Sequence, residues 1–132
     1  MLRMERFMKA SKKKILIVDD DSDILELLKF TLESSHFECE TALTATDGLQ
    51  KALAYKPHLI LLDLMLPEMS GFGFMRELKN HTQYGRIPVV VLTSLADEEI
   101  ASEVMDLGAV GYLSKSCDKK ELISMVNEYS QH

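Results

Sequence analysis

The chain has few of the residues that mark secreted, membrane and disulfide-rich proteins. It contains no tryptophan, three prolines, six glycines and two cysteines in 132 residues. Cys39 and Cys117 form neither a disulfide framework nor a metal-ligand pair, so we expect reduced thiols. No apolar run approaches the roughly 20 residues of a membrane span or the roughly 7–15 of a signal peptide. The sequence therefore predicts a cytoplasmic protein that does not use a membrane.

Positive charge is scarce outside the first few residues. Residues 1–14 carry six basic side chains and one acid, whereas the other 118 residues carry nine basic and twenty acidic side chains. Because nucleic-acid affinity comes largely from Lys and Arg that neutralise phosphates, we expect no direct nucleic-acid binding by this domain. Residues 1–13 are predicted to be a mobile basic extension, and residues 14–132 to be one domain of ordinary size.

Five short segments from Lys14 onward have the composition of β-strands. Four of them are continuous apolar runs, which suit strands buried on both faces of a sheet, at 15–18, 59–62, 89–92 and 110–113. A less apolar segment at 38–42 suits an edge strand.

Segments with helical spacing separate these strands, and each follows a side chain that can cap free backbone N–H groups. The predicted caps are Asp21 or Ser22, Thr44, Ser70, Asp97 and Asp118. The first helix is predicted to bury Ile24, Leu27, Leu28 and Thr31, and the second Leu49, Ala52 and Leu53. Five strand–helix repeats predict an α/β fold, a (βα)5 parallel sheet covered by helices on both faces.

Polar residues end four of the apolar runs. They are Asp19, Asp20 and Asp21, then Asp63, then Thr93 and Ser94, and finally Ser114 and Lys115. Singly, Asp21 can be a helix cap, Thr93 a turn residue and Lys115 a surface charge. However, ligands of open α/β sheets bind outside the carboxyl ends of the strands. The placement of all these polar residues at strand ends therefore predicts a functional site.

The residue types at this edge suit phosphoryl transfer. Clustered carboxylates of Asp19, Asp20 and Asp63 would repel one another by roughly 4 kcal/mol per pair about 4 Å apart. Mg²⁺, which binds carboxylates, water and phosphate oxygens, is the natural counter-ion. Lys115 and Thr93 supply an ammonium and a hydroxyl for phosphate oxygens. Asp63 would be the nucleophile, because carboxylates form acyl phosphates.

Four stretches of the sequence resemble the receiver domains of bacterial two-component response regulators. They are ILIVDDDSDI at 15–24, LILLDLMLPEMSGFGFMREL at 59–78, VVVLTS at 89–94 and GYLSK at 111–115. Each stretch alone is a weak signal, but the combination is highly specific. The resemblance implies a flavodoxin-like, doubly wound sheet with strand order 2-1-3-4-5.

The resemblance also implies a role for each site residue. Asp63 matches the phosphoacceptor, Asp19 and Asp20 match the acidic pair that holds Mg²⁺, and Met65 matches the position whose backbone carbonyl also binds the metal.

Three further positions match residues that respond to phosphorylation. Thr93 and Lys115 match the pair that grips the phosphoryl group, and Tyr112 matches the aromatic switch residue that follows the threonine inward. Pro67 and Gly71 lie where the family keeps its loop after the phosphoacceptor.

The implied function is signalling and not metabolic catalysis. The expected donor is a sensor histidine kinase or a histidine phosphotransfer protein, and the domain would catalyse its own Mg²⁺-dependent phosphorylation and dephosphorylation. The expected output face comprises the fourth helix, fifth strand and fifth helix, with Ile100, Val104, Tyr112, Lys119 and Ile123. A downstream protein or an output domain would read that face, and a phosphorylation-dependent homodimer is an alternative.

Two features depart from the family pattern or modify it. The family usually has proline, often cis, after the lysine, whereas this chain has Ser116. A cis bond before serine costs roughly 2.5–4 kcal/mol, so we expect a trans peptide from which Lys115 still reaches the site.

Met65 and Leu95 lie where the family controls attack of water on the acyl phosphate. Neither can orient a water, which predicts slow self-dephosphorylation.

Two other classes of protein share parts of this pattern. A phosphatase of the haloacid dehalogenase type would need an acid two residues after the nucleophile, where this chain has Met65. A pseudo-receiver, a binding module without chemistry, would have lost an acid, Thr93 or Lys115, and all of them are present.

Overall fold

Strands and helices alternate along the chain in a computed structural model, which describes residues 12–67, 69–81, 85–94 and 97–131. The strands are β1 (Lys14–Val18), β2 (Glu38–Ala42), β3 (Leu59–Leu62), β4 (Val89–Thr93) and β5 (Gly111–Ser114). The helices are α1 (Ser22–Glu33), α2 (Ala45–Tyr55), α3 (Gly71–Asn80), α4 (Glu98–Asp106) and α5 (Lys119–Tyr129). The predicted mobile extension lies outside the described residues except for Lys12 and Lys13.

The five strands form one parallel sheet in the order β2-β1-β3-β4-β5, which confirms the predicted fold. β3 and β4 are buried throughout, as the continuous apolar runs predict, and the less apolar β2 lies at an edge. Among the described residues, every helix falls short of the length and apolar character that crossing a membrane requires.

Each face of the sheet has its own hydrophobic core, because successive side chains of a strand point to opposite faces. Leu16 and Val18 of β1 pack on the side covered by α2, α3 and α4, around Phe74. Ile15 and Ile17 pack on the other side, against the leucines of α1 and against Leu122 and Val126 of α5. Burial on both faces explains why these strands are continuously apolar.

All five helices begin where the capping residues predict. The side chains of Asp21, Thr44, Ser70, Asp97 and Asp118 each accept a hydrogen bond from a backbone N–H in the first turn of their helix.

The predicted buried faces of the first two helices are wrong in part. In α1 the buried residues are Leu25, Leu28 and Leu32, whereas Leu27 is 64% exposed. Two apolar stripes overlap in this helix, and the stripe with three leucines buries more apolar surface than the predicted stripe that includes Ile24 and Thr31.

The predicted buried face of α2 is wrong for a steric reason. The buried residues are Ala45, Gly48 and Ala52, whereas Leu53 is 37% exposed and Leu49 is only partly buried. A Cβ on Gly48 would lie 3.0 Å from side-chain atoms of Phe74 and of Val18. The helix therefore approaches the core closely and turns its small residues inward.

The fifth strand runs from Gly111 to Ser114, one residue later than predicted. It pairs with β4, from Val90 opposite Gly111 to Thr93 opposite Ser114. Thr93 and Ser114 are therefore the last paired residues of β4 and β5, and Lys115 is the first residue after β5.

Candidate functional site

Two neighbouring strands deliver Asp19 and Asp63 to the same edge of the sheet. Val18 and Leu62, the last residues of β1 and β3, are paired in the parallel register. The residues that follow them, Asp19 and Asp63, therefore lie side by side. The Asp63 N–H donates to the Val18 carbonyl at 2.9 Å, and the Asp19 N–H donates to the Ala42 carbonyl at 3.1 Å. Both side chains are buried, with Asp19 2% and Asp63 3% exposed. Such burial of two acids is costly unless positive charge accompanies them.

A third acid, Asp20, completes a cluster of oxygen donors. One carboxylate oxygen from each of Asp19, Asp20 and Asp63 lies within 4.8 Å of the other two. Asp20 is exposed, so this side of the cluster is open to water. Hard oxygen donors beside water are the ligands that Mg²⁺ prefers, because this ion keeps several waters and takes few carboxylates. The donor set therefore fits Mg²⁺.

The ammonium group of Lys115 contacts both buried carboxylates. Lys115 Nζ lies 2.8 Å from Asp19 Oδ2 and 3.3 Å from Asp63 Oδ2, and the lysine side chain is 19% exposed. The Lys115 N–H donates to the Thr93 carbonyl at 2.9 Å. None of the described peptide bonds is cis, so the Lys115–Ser116 bond is trans and the lysine nevertheless reaches the acids.

Burial and ion pairing shift the pKa values of Asp19 and Lys115 in opposite directions. Burial raises the pKa of Asp19, although hydrogen bonds from Lys115 and from the Asp21 N–H partly offset this. Burial alone would lower the pKa of Lys115, but its hydrogen bond to Asp19 and the nearby Asp63 raise that pKa overall. Lys115 is therefore a fixed positive charge at neutral pH, next to two carboxylates.

The structure also describes three other predicted residues, Thr93, Tyr112 and Met65. Thr93 is fully buried at the end of β4. Tyr112 in β5 is partly buried and packs against the core on the side of α2, α3 and α4. Met65 is 56% exposed, and its N–H donates to Asp63 Oδ1 at 3.3 Å. Leu95 lies outside the described residues.

The first residue of α3, Gly71, lies directly against the backbone that carries the central acid. Its N–H donates to the Leu64 carbonyl at 3.0 Å. An added Cβ would lie 2.7 Å from Leu64 Cα and 2.8 Å from the Asp63 carbonyl oxygen. Only glycine fits at this close approach, which gives a steric reason for the glycine that the sequence analysis placed in the loop.

Sequence reasoning named Ser114 and Ser116 but did not predict the contact between their hydroxyl groups, which flank Lys115. Ser114 Oγ lies 2.7 Å from Ser116 Oγ and accepts the Ser116 N–H at 3.1 Å. The signal in the sequence was the Ser-Lys-Ser triplet at the end of a strand, since serine hydroxyls commonly bond backbone groups two residues away.

Fold and site together define a flavodoxin-like α/β domain with a cluster of acids and a paired lysine at the carboxyl edge of its sheet. The chain belongs to the response regulator receiver domain family, whose sequence model matches residues 15–127. As a receiver domain, it is a signalling phosphoacceptor of two-component systems.

Curated relatives are transcriptional regulators. The DNA-binding dual master transcriptional regulator RpaA of Synechocystis is 35% identical over 113 residues, 86% of this chain and 47% of the relative. The alkaline phosphatase synthesis transcriptional regulatory protein PhoP of Bacillus subtilis is 37% identical over 115 residues, again 86% and 47%. The chain thus spans about half the length of the curated relatives it matches.

Solved receiver structures match over nearly their whole length. The chemotaxis protein CheY4 of Vibrio cholerae superimposes with a TM-score of 0.84 at 29% identity, covering 90% of this chain and 99% of that one. A CheY-like receiver domain of Methanospirillum hungatei gives a TM-score of 0.82 at 33% identity, covering 91% and 94%. These likenesses agree with the family assignment and with the sheet order.

Proposed function

We propose that Asp63 accepts a phosphoryl group from a phosphohistidine of a sensor kinase or of a phosphotransfer protein, in a Mg²⁺-dependent reaction. The observation that carries this proposal is the contact of one ammonium, Lys115 Nζ, with the carboxylates of Asp63 and Asp19, at 3.3 and 2.8 Å. A buried carboxylate beside a fixed cation and two further acids is arranged for charge neutralisation, which dominates catalysis of phosphoryl transfer.

The proposed step forms one bond and breaks one. An oxygen of the Asp63 carboxylate attacks phosphorus, while the P–N bond of the donor breaks and its electron pair passes to the imidazole nitrogen. That nitrogen takes a proton from water, and Asp63 becomes a mixed anhydride. Lys115 then exchanges its contact with the carboxylate for a phosphoryl oxygen, and the Thr93 hydroxyl donates to another.

The metal ligands in this proposal are the carboxylates of Asp19, Asp20 and Asp63 with the backbone carbonyl of Met65. The mutual proximity of the three acids supports the assignment. When bound, Mg²⁺ would neutralise the carboxylates and charge on the phosphoryl oxygens. Because Asp20 is exposed, this side of the site has room for the waters that Mg²⁺ usually keeps.

We further propose that phosphorylation switches a face for protein contacts. The added charge draws Thr93 towards the phosphoryl group, and Tyr112 follows into the space beside it. The face comprises α4, β5 and α5, where Tyr112 is already partly buried. It would control a downstream protein or an output domain, or pair two copies, in the cytoplasm. Residues 14–132 form the proposed domain.

The acyl phosphate is proposed to be long-lived. Met65 is more than half exposed at the mouth of the site and has no group that can orient an attacking water. Leu95, the second residue of this argument, lies outside the described residues.

Intact-mass analysis tests the proposed function. The protein is incubated with Mg²⁺ and acetyl phosphate beside Asp63→Asn and beside Asp106→Asn, a control that removes an exposed acid at the end of α4. We expect one phosphoryl increment in the wild type and in the control, and none in Asp63→Asn. An increment in Asp63→Asn, or none in the wild type, would contradict the proposal.

A further inference from the structure

We propose that the hydroxyl pair of Ser114 and Ser116 positions the Lys115 ammonium over the two buried carboxylates, an inference that rests on the proposed function of Lys115. Neither serine touches the acids in this proposal. Each acts through the backbone of the lysine between them, so both are positioning residues.

The first support is that the chain is tied on both sides of Lys115. On the strand side, the Lys115 N–H donates to the Thr93 carbonyl at 2.9 Å. On the helix side, the Ser116 N–H donates to Ser114 Oγ at 3.1 Å, and the two hydroxyl oxygens lie 2.7 Å apart. The Cys117 N–H also donates to the Ser114 carbonyl, at 3.0 Å. The side chain of Ser114 thus closes a turn that encloses the lysine.

The second support is the geometry that the lysine must satisfy. A single Nζ lies 2.8 Å from one carboxylate oxygen and 3.3 Å from another, at the end of a stem with four rotatable bonds. Holding such a stem in one geometry costs rotamer entropy. That cost is lowest when the backbone already places the Cα at the right distance, so a fixed turn favours the double contact.

The third support is the position of the turn. Four residues, 115–118, connect the end of β5 to the start of α5. Asp118 fixes the helix end of this connection by accepting the Glu121 N–H at 2.8 Å. The serine pair fixes the other end. Ser116 is exposed, so losing its hydroxyl changes the loop and leaves the hydrophobic core intact.

The test compares single variants with conservative and distant controls. Ser114→Ala and Ser116→Ala each remove one hydroxyl, Ser116→Thr keeps it, and Ser34→Ala removes an exposed hydroxyl that bonds the Phe30 carbonyl in α1. The rate of phosphorylation is measured over a range of acetyl phosphate concentrations with saturating Mg²⁺. Urea unfolding of every variant reports any loss of the fold.

We expect the maximum rate of both alanine variants to fall about threefold to tenfold, the range that corresponds to loss of one net hydrogen bond. Because both lose the same hydroxyl pair, the double variant should be no slower than the slower single variant. Ser116→Thr and Ser34→Ala should keep the wild-type rate. Wild-type rates in both alanine variants, or losses that merely track unfolding, would overturn the proposal.

A second measurement does not depend on phosphorylation. The ¹⁵N signal of the Lys115 ammonium reports how firmly it is held, because paired ammonium protons exchange slowly with water. We expect a resolved signal in the wild type and in Ser116→Thr, broadened in both alanine variants. If this pattern appears in a protein that acetyl phosphate does not phosphorylate, the proposed function fails and the positioning role stands. An unchanged signal in the alanine variants overturns the positioning role.

Discussion

Replacing Lys115 with Met removes the ammonium but keeps most of the stem, so it isolates the charge balance of the site. Nζ lies 2.8 Å from Asp19 and 3.3 Å from Asp63, distances that correspond to attractions of about 6 and about 5 kcal/mol at an effective dielectric near 20. Without the lysine, two buried carboxylates whose oxygens lie within 4.8 Å of each other repel by at least about 3.5 kcal/mol at the same dielectric.

Only a fraction of this gross energy should appear as lost stability. The lysine no longer has to be desolvated, and water can enter beside the exposed Asp20. Removing one partner of a buried ion pair typically costs about 3–5 kcal/mol, and this partly open site belongs at the lower end. We therefore expect Lys115→Met to lower the free energy of unfolding by about 3 kcal/mol at neutral pH without divalent ions.

Urea unfolding measures this difference, with Lys120→Met as the control for loss of an exposed lysine in α5. The control should stay within about 0.5 kcal/mol of the wild type. Adding Asp63→Asn to Lys115→Met should recover part of the loss, because it removes one of the repelling charges. A Lys115→Met protein as stable as the wild type, or a double variant less stable than the single one, would refute the reasoning.

Three further predictions concern the surroundings of the site. Gly71→Ala should lower the free energy of unfolding by about 2 kcal/mol, because its Cβ would lie 2.7 Å from Leu64 Cα, and urea unfolding with no loss would contradict this. Met65→Asn should shorten the lifetime of the acyl phosphate, since an amide can orient water, and an unchanged rate of phosphate loss would argue against the proposed role of Met65. Burial, with Lys13 and Lys14 nearby, lowers the pKa of His58 below its ordinary value of 6.5, and its Nδ1 accepts the Lys14 N–H. The contribution of His58 to the free energy of unfolding should therefore be fully present above pH 6.5 and be lost as the pH drops through the folded pKa, with a flatter pH profile in His58→Gln. Equal pH profiles of the wild type and His58→Gln would contradict this prediction.

Strand and helix positions could be predicted because their signals are local. Continuous apolar runs identify β1, β3 and β4, and the capping residues identify the start of every helix, since a cap satisfies N–H groups that the helix itself cannot. The faces of α1 and α2 were harder to predict. Where apolar residues such as Leu25, Leu27 and Leu28 adjoin, only packing decides which of them is buried, and the sequence holds no direct record of that packing.

The candidate site was predictable as a set of residues but not as a set of contacts. Parallel strands bring residues that follow them to one edge, so Asp19, Asp63 and Lys115 could be grouped from strand order. The sharing of one ammonium between two acids depends on side-chain distances that strand order does not fix. The hydroxyl contact between Ser114 and Ser116 depends on a turn, whose geometry follows from the way β5 ends.

The most direct test of the account is to locate the phosphoryl group after reaction. The protein is phosphorylated by acetyl phosphate with and without Mg²⁺, quenched in acid and mapped by peptide mass analysis, with and without hydroxylamine. We predict a single group on the peptide that contains Asp63, formed only with Mg²⁺ and removed by hydroxylamine, as an acyl phosphate should be. A group on a serine, a threonine or a histidine, or one that forms equally well without Mg²⁺, would contradict the account.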